Sequence, residues 1–274
     1  MRISFVASTR PDAQVVLGKL VDKYGHCETA EADYIVALGG DGTALRALHT
    51  AMGIVRKPVF AMRLGTSVGF LGNPFRLDDL EIRLTRAVRY SFHPLRVRIE
   101  DISGAQKTVL SINDASLMRQ TRLTAKLLVS LDGARCEDVF VGDGILVATP
   151  IGSTAYNRSC GGPLLPLQSS LLAVSGIAPY SGKSWSHIAI DDTGTVSVEV
   201  IAPAWRPVRL ETDIEELRDI ARAEILLARE FICTLMFDSN PILQSRPLPG
   251  GAAEAIAHQA HPARQATIAA PMQN

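Results

Sequence analysis

The sequence predicts an α/β N-terminal domain, a parallel sheet with flanking helices, followed by an all-β, sandwich-like C-terminal domain. Three observations carry that expectation. As far as residue 93, β-rich runs alternate with helical patterns; beyond it, short strand-like runs follow one another almost without helical signal. The third is that 47% of the 274 residues are hydrophobic, enough for a core in each of two modest domains. The expected division is residues 1–93, residues 94–240 with an end free to return to the first domain, and a tail over 246–274.

The elements follow in order. "RISFVAS" reads as a strand, and residues 12–24 form a helix with Val15, Val16, Leu20 and Val21 at helical spacing. "YIVAL" is a buried strand running into glycines, after which residues 43–52 place Leu45, Leu48 and Met52 on one helical face. "PVFAM" is the third strand, and residues 77–88 make another helix after a Gly-rich turn. From "LRVRIED" through "KTVLSIND", "AKLLVSLDG", "GILVAT", "HIAID", "TVSVEVIA" and "PVRLETD", β-branched runs alternate with Gly, Asp and Pro turns, as in an antiparallel sandwich. "ILLAREFICTLMF" is one further apolar run, assignable to either domain. The tail, rich in Ala, Pro and Gln and without aromatics, buries too little surface to offset its ordering entropy and is expected to be disordered.

Charge excludes some classes of partner. Lys+Arg and Asp+Glu both number 28, so no global field attracts nucleic acid or an anionic membrane, and phosphate recognition has to be local. The cysteines at 27, 136, 160 and 233 form no CxxC pair, which fits a reducing compartment. No apolar run has the length of a membrane span or a signal peptide, so a soluble cytoplasmic protein is expected.

The first candidate motif is "ALGGDGT". Its glycines end a buried strand and Thr43 opens a helix, the place where open α/β sheets bind ligands and where helix N–H groups cradle phosphate. Neither known glycine loop fits: no G-x-x-x-x-G-K-[ST] occurs, and Leu45 stands where a dinucleotide fingerprint needs its third glycine. Asp41 has two readings, a helix cap worth ~1 kcal/mol or a chemical group. A second constellation, "VGDGILVATPIGSTAYNRSCGGPLLP", holds Asp143 between glycines and a small-residue turn with hydroxyls at Ser153, Thr154 and Ser159 and a base-stacking ring at Tyr156. It also reads as a helix cap and a loop. A third, "SINDASL", ends a strand with Asn113 and Asp114, which suit nucleoside hydroxyls or an Asx turn equally well.

Taken together and in order, "LGGDGT", "SVGFLGN", "SIND", "GDGILVATPIGSTAYNRSCGGP" and Asp213 resemble the bacterial NAD kinases over about residues 1–240. GGDGT alone is shared with lipid and sugar kinases, while the GSTAYN turn with its GGP is specific. The resemblance implies ATP-dependent phosphorylation of the 2′-hydroxyl of the adenosine ribose of NAD. It makes Asp41 the proton acceptor, with Gly42 beside the substrate. Asn113 and Asp114 would hold the adenosine part, and Asp143, Thr154, Ala155, Tyr156, Asn157, Arg158 and Ser159 supply the remaining contacts. Lys126 and Asp213 align as further contacts. Mg²⁺ would arrive on ATP without a private metal site, and the assembly would be a homodimer or homotetramer. The histidines, His49 among them, read as surface or packing residues.

Three departures from the family pattern stand out. Asp114 is one methylene shorter than the usual glutamate; Arg63, in "MRLGTS", stands near an expected asparagine; and Ile214-Glu215 follows Asp213 in place of a Gly or His pair. The alternatives are a lipid- or sugar-type kinase sharing GGDGT and a catalytically weak NAD-binding regulator.

Overall fold

A computed structural model describes residues 1–54, 56–65, 69–136, 138–180 and 187–238. The expected tail over 246–274 lies outside the described residues, as do Ser67 and Val68 of the "SVGFLGN" motif and the Gly-Lys-Ser at 182–184.

The first sheet runs in the order Ile3–Ala7, Tyr34–Gly39, Val59–Arg63, Cys233–Phe237 and Val88–Phe92, with the short Asn73–Pro74 paired to Val59–Arg63. The pairings are parallel except the last, where Val88–Phe92 is antiparallel to Cys233–Phe237. The inner strands Tyr34–Gly39 and Val59–Arg63 are buried on both faces and so read as continuous apolar runs, and period two decides which helix each side chain meets. Ile35, Ala37, Val59, Ala61 and Leu235 pack under the helix Asp41–Ile54 through Ala44, Leu48 and Ala51. Val36, Leu38, Phe60 and Met62 face the opposite way, onto the helices Pro11–Tyr24 and Leu80–Arg86 through Ala13, Leu20, Leu80 and Leu84. Each fully buried Leu or Ile here stabilises the fold by roughly 2 kcal/mol.

Helix Pro11–Tyr24 starts with proline in its first turn and ends at Gly25, whose φ of 73° is open to glycine at no steric cost and whose N–H closes on the Val21 carbonyl. The helix expected over 77–88 is shorter. Asp79 takes a left-handed φ of 61°, the helix occupies Leu80–Arg86, and Val88–Phe92 leaves it to become the outer strand.

The second domain is a sandwich. One antiparallel sheet orders Ala134–Arg135, Ala125–Leu131, Val196–Val200, Ile220–Leu227, Leu95–Asp101 and Gln106–Ser111, with Phe140–Gly142 also on Ala125–Leu131. The other orders Ile188–Asp191, Leu171–Ile177, Gly144–Ala148, Asp114–Arg119, Val208–Glu211 and Glu216–Leu217. Alternate residues of both, among them Val97, Leu127, Val129, Val196 and Ile225 from one and Leu117, Ile145, Val147 and Val174 from the other, form the shared core around Phe140.

The apolar run 225–237 is two elements. Ile220–Leu227 pairs with Leu95–Asp101 in the sandwich, and Cys233–Phe237 inserts into the first sheet between Val59–Arg63 and Val88–Phe92. The chain therefore crosses between the domains near residue 93 and again between 228 and 232.

Candidate active site

Asp41 is the first residue of its helix, at the carboxyl end of Tyr34–Gly39. The turn before it is tight: a side-chain carbon at Gly39 would collide with the Thr43 side chain, so that position is restricted to glycine. At Gly42 the same construction meets nothing within 4 Å, and the residue is exposed. Open space therefore adjoins the first turn of the helix at Gly42.

The Asp41 carboxylate does not cap its own helix. Oδ2 accepts the Phe70 N–H at 2.8 Å and Oδ1 accepts the Leu71 N–H at 3.1 Å, both from the "GFLG" turn. Each carboxylate oxygen has a second lone-pair site, so the group is oriented yet still able to accept a further proton. Gly69 permits this approach; a Cβ there would lie 2.5 Å from Oδ1 and 3.0 Å from the carboxyl carbon. Arg63 fixes the turn from the other side, donating to the Gly69 carbonyl at 2.9 Å. Arg63, near the position of the expected asparagine, thus braces the segment that holds Asp41.

The Asn113–Asp114 turn is clamped from several directions. Thr149 donates its hydroxyl to the Ile112 and Asn113 carbonyls at 2.7 and 3.1 Å, and its N–H to the Asn113 carbonyl at 2.9 Å. Gly152 lies so close that a side chain there would enter the Asn113 backbone, with Asn113 Cα at 2.6 Å. Asp213 reaches in from the opposite side. Its carboxylate accepts the backbone N–H groups of Ile112 and, at 3.0 Å, of Asn113. Amid these bonds the Asn113 side-chain oxygen is buried without a hydrogen-bond partner.

The turn after Thr149 forms a 3-10 segment, Gly152–Thr154, and one helical turn, Tyr156–Ser159. Asn157 is fully buried and its amide is spent internally: it donates to the Ser153 and Pro163 carbonyls at 3.1 and 2.9 Å and accepts the Ser175 hydroxyl at 2.7 Å. Gly162 of the GGP is required because a Cβ would strike that amide, at 2.7 Å from the Asn157 Cγ. Thr154 and Ala155 are half-buried, and Tyr156, Arg158 and Ser159 are exposed. Tyr156 points its hydroxyl toward the Met118 sulfur at 3.8 Å.

Electrostatics single out Asp114. Burial, reinforced by the carboxylates of Asp213 and Glu211, pushes its pKa up to about 7. The Cys160 thiol is raised by its own burial and by Asp114, and the Tyr156 phenol by burial, Cys160 and Glu211. These shifts place Asp114, Cys160, Tyr156, Glu211 and Asp213 in one neighbourhood. Asp143 lies at its edge, paired with Arg119 at 2.6 Å. Lys126 stands apart, on the outward face of Ala125–Leu131, whose inward residues enter the sandwich core.

Two links join the Asp41 and Asn113 halves. Ile112 and Ile151, each preceding a site residue or its glycine, share one apolar cluster with Ala44, Leu45 and Leu71. His49, farther along the Asp41 helix, bonds Asp213 through Nε2 at 3.0 Å, with side chains only 11% and 2% exposed.

Comparison with known proteins decides the family. The model of the ATP-NAD kinase N-terminal domain matches residues 12–92, and that of the C-terminal domain matches residues 112–216. The NAD kinase of Hyphomonas neptunium is 42% identical over 248 residues, covering 90% of this chain and 96% of that protein. The NAD kinase of Zymomonas mobilis is 42% identical over 246 residues, covering 89% and 95%. The chain belongs to the NAD kinase family.

Solved folds agree with this membership. A yeast NADH kinase complexed with NADH superposes with a TM-score of 0.73 at 17% identity, covering 88% of this chain and 83% of that one. An NAD kinase from Archaeoglobus fulgidus in complex with ATP gives 0.68 at 23% identity, covering 89% and 95%. Both share the architecture of an α/β domain followed by a β-rich domain.

The residues that hold the site are not evident in the sequence alone. His49 read as surface or packing, yet it is bonded to a buried carboxylate of the other domain. Thr149, Arg63 and the Phe70 and Leu71 amides were equally unassigned. The sole sequence signal for them was position: Thr149 sits just before the GSTAYN turn, and Phe70 and Leu71 fall within a motif already singled out.

Proposed function

We propose that Asp41 is the proton acceptor, and the Asn113–Asp114 turn the adenosine-ribose holder, in the ATP-dependent phosphorylation of NAD to NADP that family membership assigns to this chain. One observation carries the assignment of the turn: the side-chain oxygen of Asn113 is buried there without a hydrogen-bond partner. An orphaned buried acceptor costs about 1–3 kcal/mol, and a donor from the nucleoside removes that cost. The ionised carboxylate of Asp114 beside it accepts from hydroxyls.

The reaction sets the remaining roles. A bond forms between the ribose 2′-oxygen and the γ-phosphorus, the bond from that phosphorus to the β,γ-bridging oxygen breaks, and ADP leaves. The hydroxyl proton passes to Asp41, whose rotamer the Phe70 and Leu71 amides fix. The start of helix Asp41–Ile54 offers partial positive charge to phosphate oxygens, and Gly42 keeps side chains out of their path. Mg²⁺ enters bound to ATP as part of that substrate and offsets phosphate charge. Tyr156 is exposed beside the turn, available to stack on a base. A homodimer or homotetramer belongs to the same reading and is checked by light scattering.

The test is purified protein with Mg·ATP and NAD, coupled to an NADP-specific dehydrogenase. NADP formation that is lost in Asp41→Asn supports the assignment. NAD binding without NADP would mark a regulator, and phosphorylation of a lipid or sugar instead would mark the other GGDGT kinases.

A further inference from the structure

His49 and Asp213 form a buried hydrogen-bonded pair that no step of the chemistry uses directly. The pair spans the two domains: His49 is carried on the helix that begins with Asp41, and Asp213 follows the sandwich strand Val208–Glu211. Both Asp213 oxygens already face backbone donors, Oδ2 the Ile112 N–H and Oδ1 the Asn113 N–H, so the ring nitrogen of His49 that meets Oδ2 is the one bearing hydrogen. The Asp213 N–H adds a bond, donating to the Ser111 hydroxyl oxygen at 3.3 Å. A continuous chain of hydrogen bonds therefore runs from the helix of the base to the two amides that set the Asn113–Asp114 turn.

We propose that His49 is a positioning residue for NAD: acting through Asp213, it sets the place and the charge state of the Asn113–Asp114 turn relative to Asp41. This rests on the reading of that turn as the ribose holder. The positional part follows from the geometry. Without the imidazole, Asp213 is tethered only to its own domain, and the turn loses its polar tie to the helix carrying the base. Apolar contacts among Ala44, Leu45, Ile112 and Ile151 remain, but they fix direction less sharply than a hydrogen bond.

The charge part follows from what surrounds Asp114. The groups facing it are the carboxylates of Asp213 and Glu211 and the thiol of Cys160; Arg209 pairs with Glu211 at 2.6 Å, and His49 stands behind Asp213. A donor on Asp213 draws its negative charge away from Asp114. Removing that donor leaves a less compensated charge, which makes Asp114 harder to ionise. A ribose hydroxyl needs the ionised form as acceptor.

The experiment compares the full-length wild type with His49→Ala, His49→Gln and His49→Asn. Gln places an amide N–H near the position of imidazole Nε2, whereas Asn is too short to reach Asp213. Steady-state constants are measured for NAD and for ATP, together with the pH profile of kcat/KM for NAD and the melting temperature. Expected are a KM for NAD raised about tenfold or more in the Ala and Asn variants, an acidic limb displaced to higher pH, an ATP KM within twofold, and return of both changes toward wild type in His49→Gln. If the Ala variant does not fold, the Gln and Asn pair carries the same comparison.

A wild-type NAD KM and an unmoved acidic limb in folded His49→Ala or His49→Asn would overturn the proposal. So would equal losses for NAD and ATP in Gln and Asn alike, which mark a packing role. Wild-type protein that binds NAD yet makes no NADP would instead defeat the functional reading itself, and is distinguished by the same assay.

Discussion

Gly69→Ala isolates the geometry of the base without touching it chemically. The added methyl carbon would sit 2.5 Å from Asp41 Oδ1 and 3.0 Å from its carboxyl carbon. Ordinary carbon–oxygen contact is about 3.3 Å, so the carboxylate or the turn must yield by roughly 0.8 Å. Displacement of a reacting group by about 1 Å costs on the order of 10²-fold in rate. A kcat lowered about 30- to 100-fold is expected, with NAD binding by calorimetry changed less than threefold and the melting temperature within about 5 °C. The NADP-coupled assay supplies kcat. A kcat within twofold of wild type would show that the position of Asp41 is not critical, and with it the claim that the Phe70 and Leu71 amides orient a base would fall.

Four further outcomes are expected. Asp41→Asn removes the base and also sets an amide N–H against one of the two backbone donors; turnover should drop about 10²- to 10⁴-fold, and a drop of less than tenfold in the coupled assay would refute the assignment. Asp114, with a folded pKa raised to about 7 from the usual 3.8, binds its proton more tightly in the native state. Its burial therefore favours the native state at low pH, and stability is lost as pH rises from about 4 to about 7. Calorimetric scans of Asp114→Asn should show a higher melting temperature than wild type at pH 8 in the apo protein, with NAD affinity reduced; kcat/KM for NAD in the wild type should fall below pH 7 as the carboxylate protonates. Asn157→Ala leaves the Ser175 hydroxyl and the Ser153 and Pro163 carbonyls without their partner, so denaturant unfolding should show a loss of about 2–4 kcal/mol.

Local pattern was legible where local physics decides. Tyr34–Gly39 and Val59–Arg63 are continuous apolar runs because both faces of their sheet are covered, and the alternation in "LRVRIED" and "AKLLVSL" marks strands with one face in the sandwich core. The outer strand Val88–Phe92 was missed because "VRYSF" follows a helical pattern without a Gly or Pro between them, and Ala87 alone makes the change to extended backbone. The split of 225–237 was equally hidden. Both halves are apolar and β-rich, and only long-range pairing sends Ile225 to Val97 and Leu235 to Tyr90. At the site the sequence marked the residues that face open space or break a pattern, such as Asp41 between glycines and Asn113-Asp114 at a strand end. It could not mark their holders. Phe70 and Leu71 act through backbone N–H groups that every residue but proline has, and His49 meets Asp213 across 164 positions of chain.

The placement of Cys233–Phe237 also governs how the protein is made. The slot between Val59–Arg63 and Val88–Phe92 stays empty until nearly the whole described chain has left the ribosome. A nascent N-terminal segment accordingly displays an unpaired strand edge and the apolar partners of Leu235 and Met236 until the sandwich has been synthesised. Residues 94–227 hold a complete core and can close first, whereas residues 1–93 on their own are a sheet with its fourth strand missing. Truncation before Cys233 should consequently yield aggregation in place of a smaller folded domain, because the first sheet is complete only once residues 233–237 are available.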